Sequence, residues 1–233
     1  WIVDDKLYID PKREAFLDAS KQLTDKGWSN QTQDWTEAWY ADFQGKGAKP
    51  VFGFFGPAWL INYVMAGNSG GSKVGEGTYG DWAVCNSPIG FFWGGTWVLA
   101  SKTAAKDKAK KPVVKAIIEW ITLNPTKDGL LYQWANGTFQ WKYGKGADAT
   151  VNTKDTVSSG TVMKISDGKL AFLGGQNMFD YFVPAGAYAN DKNLTQYDEV
   201  INAAWRDQVR AYANGQKSKA DALKDFKQTV SDK

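Results

Sequence analysis

The chain has 233 residues, enough to bury the core of one large domain or of two small lobes. Its 28 Lys and Arg stand against 25 Asp and Glu, a net charge of +3, with the basic residues spread along the chain except at Lys102 to Lys115, whose lysines read as a solvated helix entrance and not as the basic stripe of a nucleic-acid interface. Having no His excludes a Ser-His-Asp site and a His-ligated zinc, and the single Cys85 excludes intrachain disulfides and four-Cys metal centres, so neither metal nor cofactor is expected.

Residues 1–9 alternate apolar and polar around Asp4 and Asp5 and predict a strand or an extended entry. Asp10-Pro11 opens a helix with Asp as cap and Pro in the first turn, its inner face is Phe16, Leu17, Ser20 and Leu23, and Gly27 ends it. Asp34 and Glu37 have capping-box spacing, followed by an aromatic stripe of Trp35, Trp39 and Phe43. Residues 49–55 read as a short apolar strand stopped by Gly56-Pro57, and residues 58–65 as a helix carrying Trp59 in its first turn. The apolar residues 51–67 are interrupted by Gly56-Pro57 and Asn62 and fall short of a membrane span.

Residues 75–80 spell GxGxxG, but a polar loop precedes them and the strand-like residues 81–85 follow. The strand-then-helix context of a dinucleotide site is therefore missing. Residues 91–97 set Phe91, Phe92, Trp93 and Trp97 around Gly94-Gly95 at the mouth of the apolar run 98–101. Two readings stand: a buried strand with a glycine-softened start, or an aromatic wall for a flat ligand. Residues 112–123 predict a helix with Val113, Val114, Ile117, Ile118 and Ile121 inward, and Asn124-Pro125 starts another that stops at Asn136-Gly137. The pattern weakens over residues 138–168, with one short helix near 157–165.

Residues 170–173 predict a strand that meets Gly174-Gly175-Gln176-Asn177, with a helical run from Met178 onward. Residues 195–214 form a helix with inner face Tyr197, Ile201, Ala204, Trp205 and Tyr212. A last helix, capped at Ser218, carries Leu223, Phe226 and Val230.

Three junctions thus combine glycine with aromatic or amide side chains: residues 56–59, 93–97 and 174–179. A cleft built from them would offer flat apolar faces and neutral hydrogen-bonding groups, which is the chemistry that holds a carbohydrate.

Five stretches resemble the extracellular solute-binding proteins of carbohydrate ABC transporters. They are the helix from Asp10 to Gly27 with the run Trp39 to Ala48; Val51 to Trp59; Trp93 to Ser101 with the Lys-rich helix behind it; Gly174-Gly175-Gln176; and Tyr212 to Leu223. Trp59 stands one residue later than the Trp of the family's Gly-Pro-Trp. The resemblance implies an α/β, type II periplasmic-binding-protein fold of two lobes joined by hinge crossings, with this chain as its N-terminally incomplete C-terminal part. Residues 1–85 would belong to the second lobe, 86–150 to the first and 151–233 to the second again, with crossings at Asn86-Ser87-Pro88 and after Phe139.

The function so implied is sugar capture by hinge closure and delivery to the membrane permease subunits of an ABC transporter. Trp59 and Trp93 would stack on sugar rings, Gly94 and Gly95 would admit ligand to the backbone, and Gln176, Asn177 and Phe179 would complete the site, with Trp97 in the core. The resemblance implies a monomer that is not an enzyme, extracellular or periplasmic, anchored as a lipoprotein in its full-length form. The rivals are a glycoside hydrolase using a carboxylate pair, for which Asp180 and Asp198 are available, and a carbohydrate-binding or sensor module outside transport.

Overall fold

The computed structural model describes residues 1–87, 90, 91, 93–142, 144, 148–188 and 192–231. Pro88 of the expected hinge crossing and Phe92 of the aromatic run lie outside the described residues. In chain order the elements are β1 (Ile2–Val3), β2 (Lys6–Leu7), α1 (Pro11–Asp25), α2 (Glu37–Phe43), α3 (Ala58–Leu60), α4 (Lys102–Lys106), α5 (Lys110–Thr122), α6 (Leu130–Ala135), β3 (Gln140–Trp141), β4 (Thr150–Val151), α7 (Gly160–Lys164), α8 (Phe179–Ala185), α9 (Asp198–Ala213) and α10 (Lys219–Ser231). The result is a helix-rich mixture of helices and a few short strands, divided into two compact units: residues 1–36 with 190–233, and residues 37–189.

In the first unit, residues 1–9 form a hairpin rather than one strand. Ile2 pairs with Leu7 and Val3 with Lys6, and Asp4 and Asp5 turn the chain with φ of 49° and 58°, the left-handed pair that a tight hairpin needs. Asp10 caps α1 by accepting from the Lys12 N–H at 2.8 Å, with Pro11 in the first turn, as the sequence predicts. Leu17 of α1, Ile201 and Trp205 of α9 and Phe226 of α10 are buried together with Trp1. Trp1, Trp205 and Phe226 touch with centroids 4.9–5.5 Å apart, and Trp1 Nε1 donates to Asn202 Oδ1 at 2.7 Å. Phe16 and Leu23, expected inward on α1, are exposed, as is Tyr197 ahead of α9. Asp18 of α1 accepts from Tyr212 Oη and Lys219 Nζ, and these two donors hold its carboxyl below the usual range.

The second unit packs Trp39 and Phe43 of α2, Leu60, Ile61, Val64 and Met65, Leu131 and Ala135 of α6, Val162 and Met163 of α7, and Phe172, Met178 and Phe179 into one core. Trp35, expected on the same stripe, is exposed at φ 66°, one residue before Thr36; α2 starts only at Glu37, so the Asp34 cap is not formed where the spacing put it. The glycine-rich loop is tied to α2 through Thr78, whose Oγ1 donates to the Phe43 carbonyl at 2.6 Å and accepts from Trp82 Nε1 at 3.0 Å.

The expected strands are where the structure departs most. Residues 49–55 carry no ladder, and Phe52 is fully exposed. Residues 81–85 and 91–101 are likewise irregular, and 170–173 is a tight turn of helix, Ala171–Leu173. A strand exists only where a second backbone accepts and donates its bonds. Among the described residues the ladders are two residues long, β1 with β2 and β3 with β4. Trp97, expected in the core, is 81% exposed. In α5 no residue is buried: Val114, Ile118 and Ile121 are half-covered, whereas Val113 and Ile117 face solvent. The helix expected from Asn124-Pro125 begins only at Leu130, because the Asn124 side chain accepts from Thr126 N–H and Oγ1 and closes a turn instead. Among the described residues, no helix is long and apolar enough to cross a membrane.

Candidate aromatic site

Trp59 sits at the start of α3, with Pro57 ahead of the helix and Gly56 beneath it. A Cβ at Gly56 would overlap the end of the buried Leu60 side chain, so a larger residue there would force Leu60 to shift in the core. The helix continues as a widened π turn, Ile61–Met65, which buries Ile61, Val64 and Met65 and anchors Trp59 from below.

Thirty-four residues away in sequence, Trp93 comes to the same place. Trp59 Nε1 donates to the Trp93 carbonyl at 3.1 Å, and the two indoles meet edge to face, centroids 5.6 Å apart at 72°. Both rings are half-buried and rest on the second unit's core. Gly94 follows with φ +66°, and a Cβ there would lie 3.8 Å from Trp59 Nε1, so the backbone passes close along the indole. Gly95, at φ +150°, turns the chain toward Trp97, whose Nε1 lies 3.8 Å from where its Cβ would be. Trp59, Trp93 and Gly94 are thus brought together in a corner of two rings and a bare backbone.

The other expected site residues are engaged elsewhere. Gln176 pairs both ends of its amide with one backbone unit: Oε1 accepts from Val84 N–H at 2.6 Å, and Nε2 donates to the Val84 carbonyl at 2.9 Å. Its side chain supplies the bonds a neighbouring strand would have given to residues 81–85. Asn177 Oδ1 accepts from Phe179 N–H at 3.1 Å and Nδ2 donates to Asp180 Oδ1 at 3.2 Å, which fixes the start of α8. Phe179 is buried in the core. The Asp180 and Asp198 carboxylates belong to helix starts, Asp198 accepting from Thr195 N–H and Oγ1.

One polar group escaped the sequence reading. Asp155 is only 4% exposed beside the π turn, and burial pushes its carboxyl above the usual range, against hydrogen bonds from Thr156 N–H and Asn62. Burial and the Asp155 charge together raise the Tyr63 phenol. The only signal for it was Asn62, a polar residue interrupting an apolar run, which also donates to the Lys154 carbonyl at 2.8 Å. Among the described residues, no three His, Cys, Asp or Glu side chains cluster as a metal site would require.

No protein family, curated protein or solved structure matches the chain.

Proposed function

We propose that the chain binds a carbohydrate and serves as part of an extracellular or periplasmic solute-binding protein of an ABC transporter, with Trp59, Trp93 and Gly94 as the core of the sugar site. The observation that carries this reading is the corner itself. Two indoles from distant segments meet over a glycine backbone, giving apolar ring surface beside unshielded peptide groups. Sugar C–H faces pack on aromatic surface while hydroxyls bond to neutral polar groups.

The wider reading is a type II periplasmic-binding-protein fold in which hinge closure between two α/β lobes traps the ligand for the membrane permease subunits, the full-length protein being a lipid-anchored monomer. Closure draws its energy from contacts the ligand makes only in the shut form. What supports this part is the five-segment resemblance in sequence. Gln176 and Asn177 are bonded to Val84 and to the start of α8, so the sugar site proposed is Trp59, Trp93 and Gly94, with Gly95 beside them.

The test is a thermal-shift and calorimetric screen of the 233-residue chain against glucose, xylose and fructose oligosaccharides. A ligand at about 100 times its Kd stabilises the fold by about 2.7 kcal/mol. Trp93→Ala should abolish the shift caused by the best ligand while the variant still unfolds cooperatively. No binding by any sugar, or full affinity in a folded Trp93→Ala variant, would remove the reading; product release from a bound oligosaccharide would turn it into a hydrolase.

A further inference from the structure

Residues 96–100, Thr-Trp-Val-Leu-Ala, are all exposed, with Trp97 at 81% and Leu99 at 88%, and form no hydrogen bond among the described residues. Their composition suits a strand that is covered on both faces, yet no backbone among the described residues is hydrogen-bonded to them. Ser101 ends the run by capping α4, its Oγ accepting from Ala104 N–H at 3.1 Å. Directly behind come α4 and α5 with a surplus of lysine. Lys110 pairs with Asp107 and Lys115 with Glu119, whereas Lys102, Lys106, Lys108 and Lys111 have no ion pair among the described residues. The outward side of α5 adds exposed Val113 and Ile117 to the same segment of chain.

We propose that residues 96–100 are a docking edge for the β-strand of an acidic polypeptide, whose backbone completes the missing ladder and whose carboxylates meet the four lysines that follow. The proposal is independent of sugar binding. Unpaired peptide groups select a strand as occupant, because only another backbone matches the donors and acceptors that alternate residues of an extended run present along one edge. The local charge selects an acidic one: a second copy would bring the same uncompensated lysines. A lipid surface would satisfy the lysines and the indole but leave the peptide groups unbonded in an apolar layer.

The test is hydrogen exchange of the amides of residues 97–100 in the 233-residue chain. The probe is a synthetic peptide of alternating Val and Thr flanked by Glu, with the same peptide flanked by Lys as control. The Glu peptide should slow exchange about tenfold at alternate amides of this run, less so at high salt, while the Lys peptide leaves them unchanged. The double change Val98→Pro and Leu99→Pro, which removes a backbone N–H on either edge of this exposed run, should abolish the effect without lowering Tm. The proposal is overturned if neither peptide or both peptides protect the amides. It is overturned equally if light scattering shows a dimer whose dissociation exposes them, or if phosphatidylglycerol vesicles protect them instead.

Discussion

Gln176→Ala separates two roles that one amide side chain can play. In the structure both ends of the amide are bonded to the peptide unit of Val84, at 2.6 and 2.9 Å, in a half-buried position. Removing them leaves one N–H and one C=O without their partner; at about 1 kcal/mol for each such bond, the loss is about 2 kcal/mol. For a chain of this size that corresponds to a fall in Tm of about 4–8 °C. Calorimetry reads the fall, and amide exchange reads its place: the Val84 N–H should lose protection while the Leu17 and Phe226 amides of the first unit keep theirs. Gln176→Glu sharpens the test. The carboxylate still accepts from Val84 N–H but has no proton for the Val84 carbonyl, whereas the protonated acid supplies one. The folded-state pKa of this Glu is therefore raised, and its stability contribution is present at low pH and lost as pH rises through that folded value. An unchanged Tm and unchanged Val84 exchange in Gln176→Ala would refute the strand-substitute role.

Three further outcomes follow from the geometry. Gly94→Ala places a methyl group at ordinary contact distance from the Trp59 indole but at φ +66°, so it should cost about 1 kcal/mol of stability from backbone strain alone, read by denaturant titration. Asp155→Asn removes a buried carboxyl whose pKa is raised by burial; the wild-type loses that stability as pH rises through the folded value, so the variant should be the more stable one at neutral pH and the two should converge in acid. Phe226→Ala empties a fully buried position between Trp1 and Trp205 and should cost about 3–5 kcal/mol, seen as selective loss of exchange protection in the first unit.

What could be read from the sequence was local. Asp10-Pro11 and Ser218 with Asp221 each mark a helix start through a side chain reaching at most three residues along the chain, and each is found there, whereas α9, expected from Thr195, begins only at Asp198 with Tyr197 ahead of it and no side-chain cap. The strand expectations at 49–55, 81–85 and 91–101 failed for the opposite reason. Apolar β-formers state that a residue suits a ladder, but not whether a second backbone arrives to build it. At Val84 the partner came from a side chain 92 residues away, and no periodicity encodes that. The inward side of α5 was misjudged in the same way: Val113 and Ile117 are spaced for burial, but burial needs a covering layer.

The aromatic corner shows where local and non-local information meet. Trp59 at a helix start was legible from Pro57 and a permissive backbone at Gly94 from the paired glycines, yet their meeting is non-local, made by the bond from the Trp59 indole to the Trp93 carbonyl together with the edge-to-face contact of the two rings. That bond has a chemical consequence for any sugar bound here. The Trp59 N–H points at protein, so it is engaged before a ligand arrives, and ring contact at this corner is apolar in character. In the sugar site proposed, hydroxyl recognition would then fall to the peptide groups of Gly94 and Gly95, where glycine puts no side chain over the backbone. Such a site would select for the flat apolar faces of a sugar more than for the pattern of its hydroxyls. Ligands that differ at one hydroxyl should therefore differ in Kd by less than about tenfold, and a loss well beyond that for one epimer would place a side-chain hydrogen bond at the site that this corner lacks.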